Sequence, residues 1–502
     1  MEKITPGLDA ASFRKEAHCM VDWMADYLEK VDQYPVKSPV APRDVFNQLP
    51  DEAPAKAEPM EAIFQDFENI IMPGITHWQS PGFFAYFPAN SSYPSLLAEM
   101  LTSTLGAQCM SWDTSPAAAE LEEKVMDWLK IACGLPASWA GVIQDTASTA
   151  TLAAILSARE RASNWDINMQ GLQGSPRYRV YASAETHSSI EKAVKIAGLG
   201  AENYVKVPVN EAFELDVAVL ETLIQEDRNA GFVPLCVVAT LGTTGVTAMD
   251  PVDAIAPLCA RENIWLHVDA AYAGTALALP EYQHLASGLE KADSLVFNPH
   301  KWMFTNFDCT AYFVKDASAL VRTFEILPEY LKTKARGVNH YRDWGIPLGR
   351  RFRALKLWFV LRSYGLEGLR TRLREHISYA AWLEEQVLAH PHCEMLAPRT
   401  LTLVCFRFVY PNKTEKELRD LARDFRPEIS PDNIWDSIEA DLPSDNRRRY
   451  FGIFWFVGGV LLIASPFMFN QEQGLMISLG VCSFYIVGAI GNFWGTNGKH
   501  PG

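Results

Sequence analysis

The 502-residue chain lacks what several protein classes require. Its nine cysteines are odd in number and scattered. With no CxxC pair and no Cys/His cluster, they indicate neither a disulfide framework nor a zinc site, and no metal is expected. They read as reduced, mostly buried small side chains of a cytosolic body. Positive charge is also scarce: 45 Lys and Arg stand against 60 Asp and Glu, a formal net charge of −15. A general polyanion binder needs clustered cations, so nucleic acid is not an expected partner. The acidic balance mainly favours solubility. Met1–Pro6 contains no apolar run, which argues against a signal peptide. No repeat suggests a solenoid.

What is present is a large apolar fraction, 48% of residues, with a varied pattern. Phe13, Met20, Trp23, Met24 and Tyr27 recur at helical spacing and predict a helix over Ala11–Val31. A Pro- and Ala-rich connector follows between Pro35 and Pro59. Ser115-Pro116 signals a second helix start, with apolar positions Leu121, Val125, Trp128 and Leu129. From about Gly141 to Val314, strand-like runs alternate with helical ones. Val180–Ala182, Leu235–Thr240, Ile264–Val268 and Ser294–Phe297 read as buried strands, and Ala150–Arg161, Ile190–Ala197 and Pro251–Arg261 as helices. Such alternation predicts an α/β domain with a largely parallel sheet and ligands at the strand ends.

The last 60 residues change character. Tyr450–Phe469 and Gly474–Trp494 carry no charge, and each is long enough for a roughly 30 Å hydrocarbon core. Asn470, Gln471, Glu472 and Gln473 separate them, while Arg447, Arg448 and Arg449 precede the first and Lys499 follows the second. These features predict a two-helix transmembrane hairpin over 450–494, with both ends in the cytoplasm and a lipid bilayer as partner.

The sharpest local feature is Asn298-Pro299-His300-Lys301-Trp302, directly after the apolar run Ser294–Phe297. A lysine at the end of a buried strand is costly unless its charge is used or suppressed. Desolvation lowers its pKa and frees the amine to condense with an aldehyde. Asp269 follows another buried run, Ile264–Val268, where an acid can hold the ring nitrogen of a pyridine cofactor protonated. Asp145-Thr146-Ala147-Ser148-Thr149-Ala150 leads into a helix whose first N–H groups suit a phosphate. His187 follows a third strand and could stack on a flat cofactor. Each feature alone has a commoner structural explanation; their combination is the signal.

Together with His77-Trp78-Gln79-Ser80-Pro81, Phe84-Ala85-Tyr86-Phe87-Pro88, Ser115–Glu122 and Leu266–Gly274, these residues resemble the pyridoxal-phosphate decarboxylases that act on aromatic amino acids and histidine. The resemblance runs from near Ala11 to about Leu418. It implies an aminotransferase-like fold type I subunit with a mainly parallel seven-stranded sheet, acting as a homodimer with sites at the subunit boundary. It also implies pyridoxal 5′-phosphate as cofactor, held covalently by Lys301. Asp269 would pair with the pyridine nitrogen, His187 and Ala271 would cover the two ring faces, and Thr244 would stand near the ring hydroxyl. Ala147, Ser148, Asn298 and His300 would gather around the phosphate. Trp78, Tyr86, Phe87 and Pro88 would line the substrate pocket. Tyr330 matches a tyrosine on a mobile loop that protonates the carbanion, and its presence favours simple decarboxylation over aldehyde formation. Gly349 resembles the version that leaves room for larger rings.

The organisation expected is a helical segment over 1–75, a cofactor-binding domain over 76–375 and an incomplete small domain over 376–430. A linker over 431–449 then leads to the hairpin. Ala89, Gly82, Gln108 and Met110 depart from the animal enzymes and blur the choice of substrate. The expected activity is decarboxylation of tryptophan, tyrosine, phenylalanine or DOPA by a cytoplasmic body anchored to a membrane. Aldehyde synthesis, histidine decarboxylation and an inactive membrane-anchored pseudoenzyme remain the competing readings.

Overall fold

Strand-forming runs and the helices between them build a seven-stranded sheet in the computed structural model of the chain. The structure describes residues 8–83, 85–326, 337–391, 393–409 and 482–485. Two compact units are distinguished: among the described residues, one comprises residues 8–83 and the other those from Ala85 onward.

In the first unit, α1 (Ala10–Glu29) starts at Asp9, whose side chain accepts the Ser12 N–H. The predicted helix Ala11–Val31 thus ends two residues early. Trp23 stacks on Tyr27 and meets Phe64 and Phe67 edge-on, and the Tyr27 hydroxyl bonds His77 Nδ1 at 2.8 Å. Trp23 and Tyr27 are therefore packing surface, whereas Phe13 is exposed.

The second unit contains α2 (Tyr93–Leu105), α3 (Pro116–Ala132), β1 (Ala140–Gln144), α4 (Ala147–Ala162), β2 (Tyr178–Ser183), α5 (Ser189–Ile196) and β3 (Tyr204–Val207). It continues through α6 (Val217–Asn229), β4 (Val233–Thr240), α7 (Val252–Glu262), β5 (Trp265–Asp269), β6 (Ser294–Phe297), β7 (Thr310–Val314), α8 (Ala317–Phe324) and α9 (Arg353–Ala389), the last broken at Gly365. The sheet order is β1-β7-β6-β5-β4-β2-β3. Pairing is parallel from β3 through β6, and β7 runs antiparallel to both β6 and β1. Every residue of β5 and β6 is buried. That explains why these strands read as continuous apolar runs rather than alternating ones, as expected for a parallel sheet covered on both faces. The expected helices agree with α4, α5 and α7 to within three residues at each end.

A second, antiparallel sheet has the order β10-β9-β8, from β8 (Cys393–Met395), β9 (Leu403–Phe408) and β10 (Cys482–Tyr485). This corrects one expectation. Cys482–Tyr485 falls inside the second predicted transmembrane helix, yet it pairs as a strand with Leu403–Phe408. A run without charges does not by itself separate helix from strand, and an open strand edge presents unpaired N–H and C=O groups that such a run can satisfy. The rest of the expected hairpin over 450–494 lies outside the described residues, as do the linker and residues 410–430 of the expected small domain. Among the described residues no helix is long and apolar enough to cross a membrane.

Candidate active site

The ends of β5 and β6 put a buried acid and a buried amine into one electrostatic unit. Asp269 is the last residue of β5, with its backbone in register with Thr240 and Val296. Its Oδ1 accepts the Ala271 N–H at 3.0 Å. Lys301 sits in the helical turn Pro299–Trp302 that follows β6, and its N–H donates to Asn298 O at 2.9 Å. Burial lowers the Lys301 amine below the usual lysine range, and Asp269 opposes that shift. Burial raises the Asp269 carboxyl, while Lys301, the Ala271 N–H and His187 oppose it. A suppressed lysine charge is the state that a nucleophilic or condensing amine requires.

His187 completes this unit from the loop after β2. Its Nδ1 accepts the Ser189 backbone N–H at 3.2 Å and lies 2.8 Å from Ser189 Oγ. The neutral ring therefore carries its proton on Nε2. Burial first, and the Lys301 charge second, hold its pKa below the ordinary histidine value, whereas Asp269 pulls the other way. A neutral, oriented imidazole is suited to stacking and to a single donor bond.

The loops around the amine are tied down by backbone bonds. Asn298 N donates to Ala271 O at 2.9 Å, and Asn298 Oδ1 accepts from the Thr310 hydroxyl at 2.8 Å. The same hydroxyl stands 3.1 Å from Asp145 O, which links β6, β7 and the end of β1. His300 Nδ1 accepts the Cys309 N–H at 3.0 Å, and burial pushes the ring down to about 4. Ala147 and Ser148 form the first turn of α4, capped by Thr146, whose hydroxyl accepts the Thr149 N–H. First-turn N–H groups have no partner within their own helix, and the helix dipole favours an anion there.

The aromatic side is partly as expected. Phe87 lies with its ring centroid 4.9 Å from Lys301 Nζ and stacks on Tyr272 at 4.4 Å, and Tyr272 stacks on Trp302 at 5.0 Å. Pro88 follows it at intermediate burial, whereas Tyr86 is exposed with φ of 60°. Trp78 belongs to the first unit, where it packs on Phe83 at 4.6 Å. Thr244 is exposed on the turn after β4. Gly349 lines a different cavity of about 400 Å³ with Gln108, Gln144, Asp145, Tyr341, Arg350 and Arg353. His187, Asp269 and Lys301 do not border that cavity. Its floor is rigid: Arg350 bonds Glu122 at 2.6 Å and Ile143 O at 2.7 Å. Tyr330 lies outside the described residues.

Sequence reasoning missed Asn90. Its N–H donates to His300 O at 3.1 Å and its side-chain amide donates to Lys301 O, which pins the peptide that carries the amine. A lone asparagine 211 positions away gives no local signal. It also missed Thr310, whose role depends on the antiparallel return of β7.

A buried amine lowered by burial, a buried carboxyl coupled to it, an oriented imidazole and a capped helix start would suit an aldehyde, a pyridine nitrogen, a flat ring and a phosphate respectively. Residues 42–409 match the pyridoxal-dependent decarboxylase conserved domain. The chain belongs to the pyridoxal-dependent decarboxylase family. It is a carboxy-lyase that uses pyridoxal 5′-phosphate. The chain is 44% identical over 416 residues to a phenylacetaldehyde synthase of Petunia hybrida, covering 81% of each chain. It is 44% identical over 415 residues to an aromatic-L-amino-acid decarboxylase of Sus scrofa, covering 80% of this chain and 85% of that one. The solved Catharanthus roseus tryptophan decarboxylase in complex with L-tryptophan superposes with a TM-score of 0.79 at 40% identity. That match covers 84% of this chain and 90% of the other. In this decarboxylase, Lys301, Asp269, His187, Ala147 and Ser148 are the residues that would hold the cofactor.

Proposed function

We propose that this decarboxylase removes the α-carboxylate of an aromatic L-amino acid, releasing CO₂ and the corresponding amine. The observation that carries the reading is the Lys301 amine, lowered by burial below the usual lysine range, coupled to the buried Asp269 carboxyl and beside the Phe87 ring. Relatives named as tryptophan, tyrosine and aromatic-L-amino-acid decarboxylases support the substrate class. Bound pyridoxal 5′-phosphate supplies the electron sink for the pair left behind when CO₂ departs. Lys301 would hold that group through its amine. Asp269 would keep the ring nitrogen protonated, which a buried carboxylate does strongly because water does not screen it. His187 would cover one ring face, and Phe87, backed by the buried Tyr272, offers apolar surface to an aromatic side chain. Tyr330 is assigned the delivery of the proton to the new amine carbon.

A second reading, oxidative formation of an aldehyde, is favoured by the identity to the Petunia synthase. The test is mass-spectrometric detection of amine from detergent-extracted full-length protein with cofactor and tryptophan, tyrosine, phenylalanine, DOPA or histidine. Lys301→Ala runs alongside. Amine that disappears with Lys301→Ala supports decarboxylation. Aldehyde, peroxide and ammonia in its place establish the second reading, and absence of all products from cofactor-loaded protein sinks both.

The site is further proposed to work in a homodimer. Supporting this, α2 exposes Leu97, Leu101 and Leu105, and the Gly349 cavity stands apart from Lys301 within one chain. Light scattering on the eluting protein tests it, a monomer being the contrary result. The uncharged run 450–469, with Arg447–Arg449 before it, supports attachment of the cytoplasmic catalytic body to a bilayer. Flotation with vesicles, lost when the chain ends near Asp445, is the expected result. Equal flotation of both forms contradicts it.

A further inference from the structure

Beneath the site, four buried side chains join α4, β5 and β6. The Trp265 indole donates to Ser294 Oγ at 3.0 Å, Ser294 Oγ lies 2.9 Å from His267 Nδ1, and His267 Nε2 lies 3.1 Å from Thr151 Oγ1. Thr151, His267 and Ser294 are fully buried. In either tautomer both ring nitrogens are engaged, and burial pushes the His267 pKa down to about 3, so the ring is a neutral strut.

The position of the strut matters more than its strength. His267 and Asp269 alternate onto the same face of β5, because residues two apart in a strand point the same way. Thr151 and Ala147 share one face of α4, because residues four apart in a helix lie one above the other. From the Thr151–His267 bond, two strand residues lead about 7 Å to Asp269. Four helix residues lead about 6 Å to Ala147. The helix leaves the sheet from the C-terminal end of β1, so both offsets point toward the same end of the sheet. This hydrogen bond therefore ties the helix that begins at Ala147 to the strand that ends at Asp269.

We propose that His267, through Thr151, is a positioning residue that fixes the distance between the phosphate-holding and ring-nitrogen-holding ends of the cofactor site. The proposal rests on the cofactor assignment above. A ligand that spans both ends depends on this spacing, whereas one that engages only the ring end does not. Pyridoxal 5′-phosphate and pyridoxal, which lacks the phosphate, are the two probes.

Full-length holoenzyme is stripped of cofactor and reloaded with either probe, with binding followed by absorbance. Thr151→Val preserves shape and removes the hydroxyl; Thr151→Ser keeps it. Thr151→Val is expected to raise the Kd for pyridoxal phosphate about tenfold while changing that for pyridoxal less than about twofold. Thr151→Ser returns the ratio to the wild-type value. Ser294→Ala, which breaks the bond at the other ring nitrogen, moves the ratio in the same direction and serves if Thr151→Val fails to fold. Parallel weakening of both probes, or an unchanged ratio in both Thr151→Val and Ser294→Ala, overturns the proposal. Failure of the wild-type protein to bind pyridoxal phosphate overturns the cofactor assignment instead.

Discussion

The Trp302 indole donates its N–H to His376 Nδ1 at 3.0 Å, tying the turn that carries Lys301 to α9. Both side chains are fully buried, and burial pushes the His376 ring down to about 3. Since Nδ1 accepts, the neutral ring has its proton on Nε2, which has no hydrogen-bond partner. His376→Leu therefore exchanges one orphaned N–H for another, and its expected cost is within about 1 kcal/mol of zero. Trp302→Phe orphans the acceptor as well and leaves a cavity, so its expected cost is at least about 2 kcal/mol. Urea denaturation of both variants measures the contrast; equal costs would contradict this account of the bond.

Acid stability follows from the buried titrating groups. His267 and His376 are held down to about 3 and His300 to about 4, against an ordinary value of 6.5. Groups depressed in the folded state stabilise it above pH 6.5, and that contribution is lost as pH falls toward 3–4. Asp250 behaves oppositely: burial raises it to about 6, so its contribution is complete below 3.8 and is lost as pH rises through about 6. Among these four groups the three histidines outnumber the one carboxyl, so their net effect is a loss of stability as pH falls from 6 to 4. Urea midpoints that stay flat across that window would refute this balance.

Asp269→Asn tests the coupling of acid and amine. The amide oxygen still accepts the Ala271 N–H, so the turn is retained while the charge is removed. Because Asp269 raises the Lys301 pKa, the amine should titrate lower still in the variant. The pH dependence of Lys301 labelling in stripped full-length protein reads this directly. With cofactor bound, kcat should fall about 10²–10³-fold. A Lys301 midpoint that rises or stays put would contradict the assignment.

The central sheet was legible because β4, β5 and β6 are buried on both faces and therefore appear as dense apolar runs. Lys301 and Asp269 could be found for the same reason: a charge placed directly after such a run is conspicuous. Asn90, Thr310 and the Phe87–Tyr272–Trp302 stack were not legible, since their roles come from chain crossings that no local pattern encodes. The strand Cys482–Tyr485 was read as helix because its neighbours are uncharged, and hydropathy alone does not record where a strand edge stands open. Gly349 was grouped with Phe87 as substrate-binding, although within one chain they border different spaces.

That separation makes Gly349 a test of the proposed dimer. A Cβ at Gly349 would meet Gln108 Nε2 at 3.2 Å. Gln108 is held through its oxygen, which accepts the Arg350 N–H at 2.7 Å, so its amide must give by a few tenths of an ångström. Gly349→Ser should therefore fold normally, with a stability change below about 1 kcal/mol. If this cavity is completed by a second copy into the substrate pocket, the added bulk crowds an indole more than a phenol. The ratio of kcat/KM for tryptophan to that for tyrosine should then fall about tenfold, the scale of one extra group in an apolar pocket. An unchanged ratio in a variant that remains dimeric would separate the Gly349 cavity from substrate recognition. A monomeric wild-type protein with full activity would remove the reason for connecting the two sites.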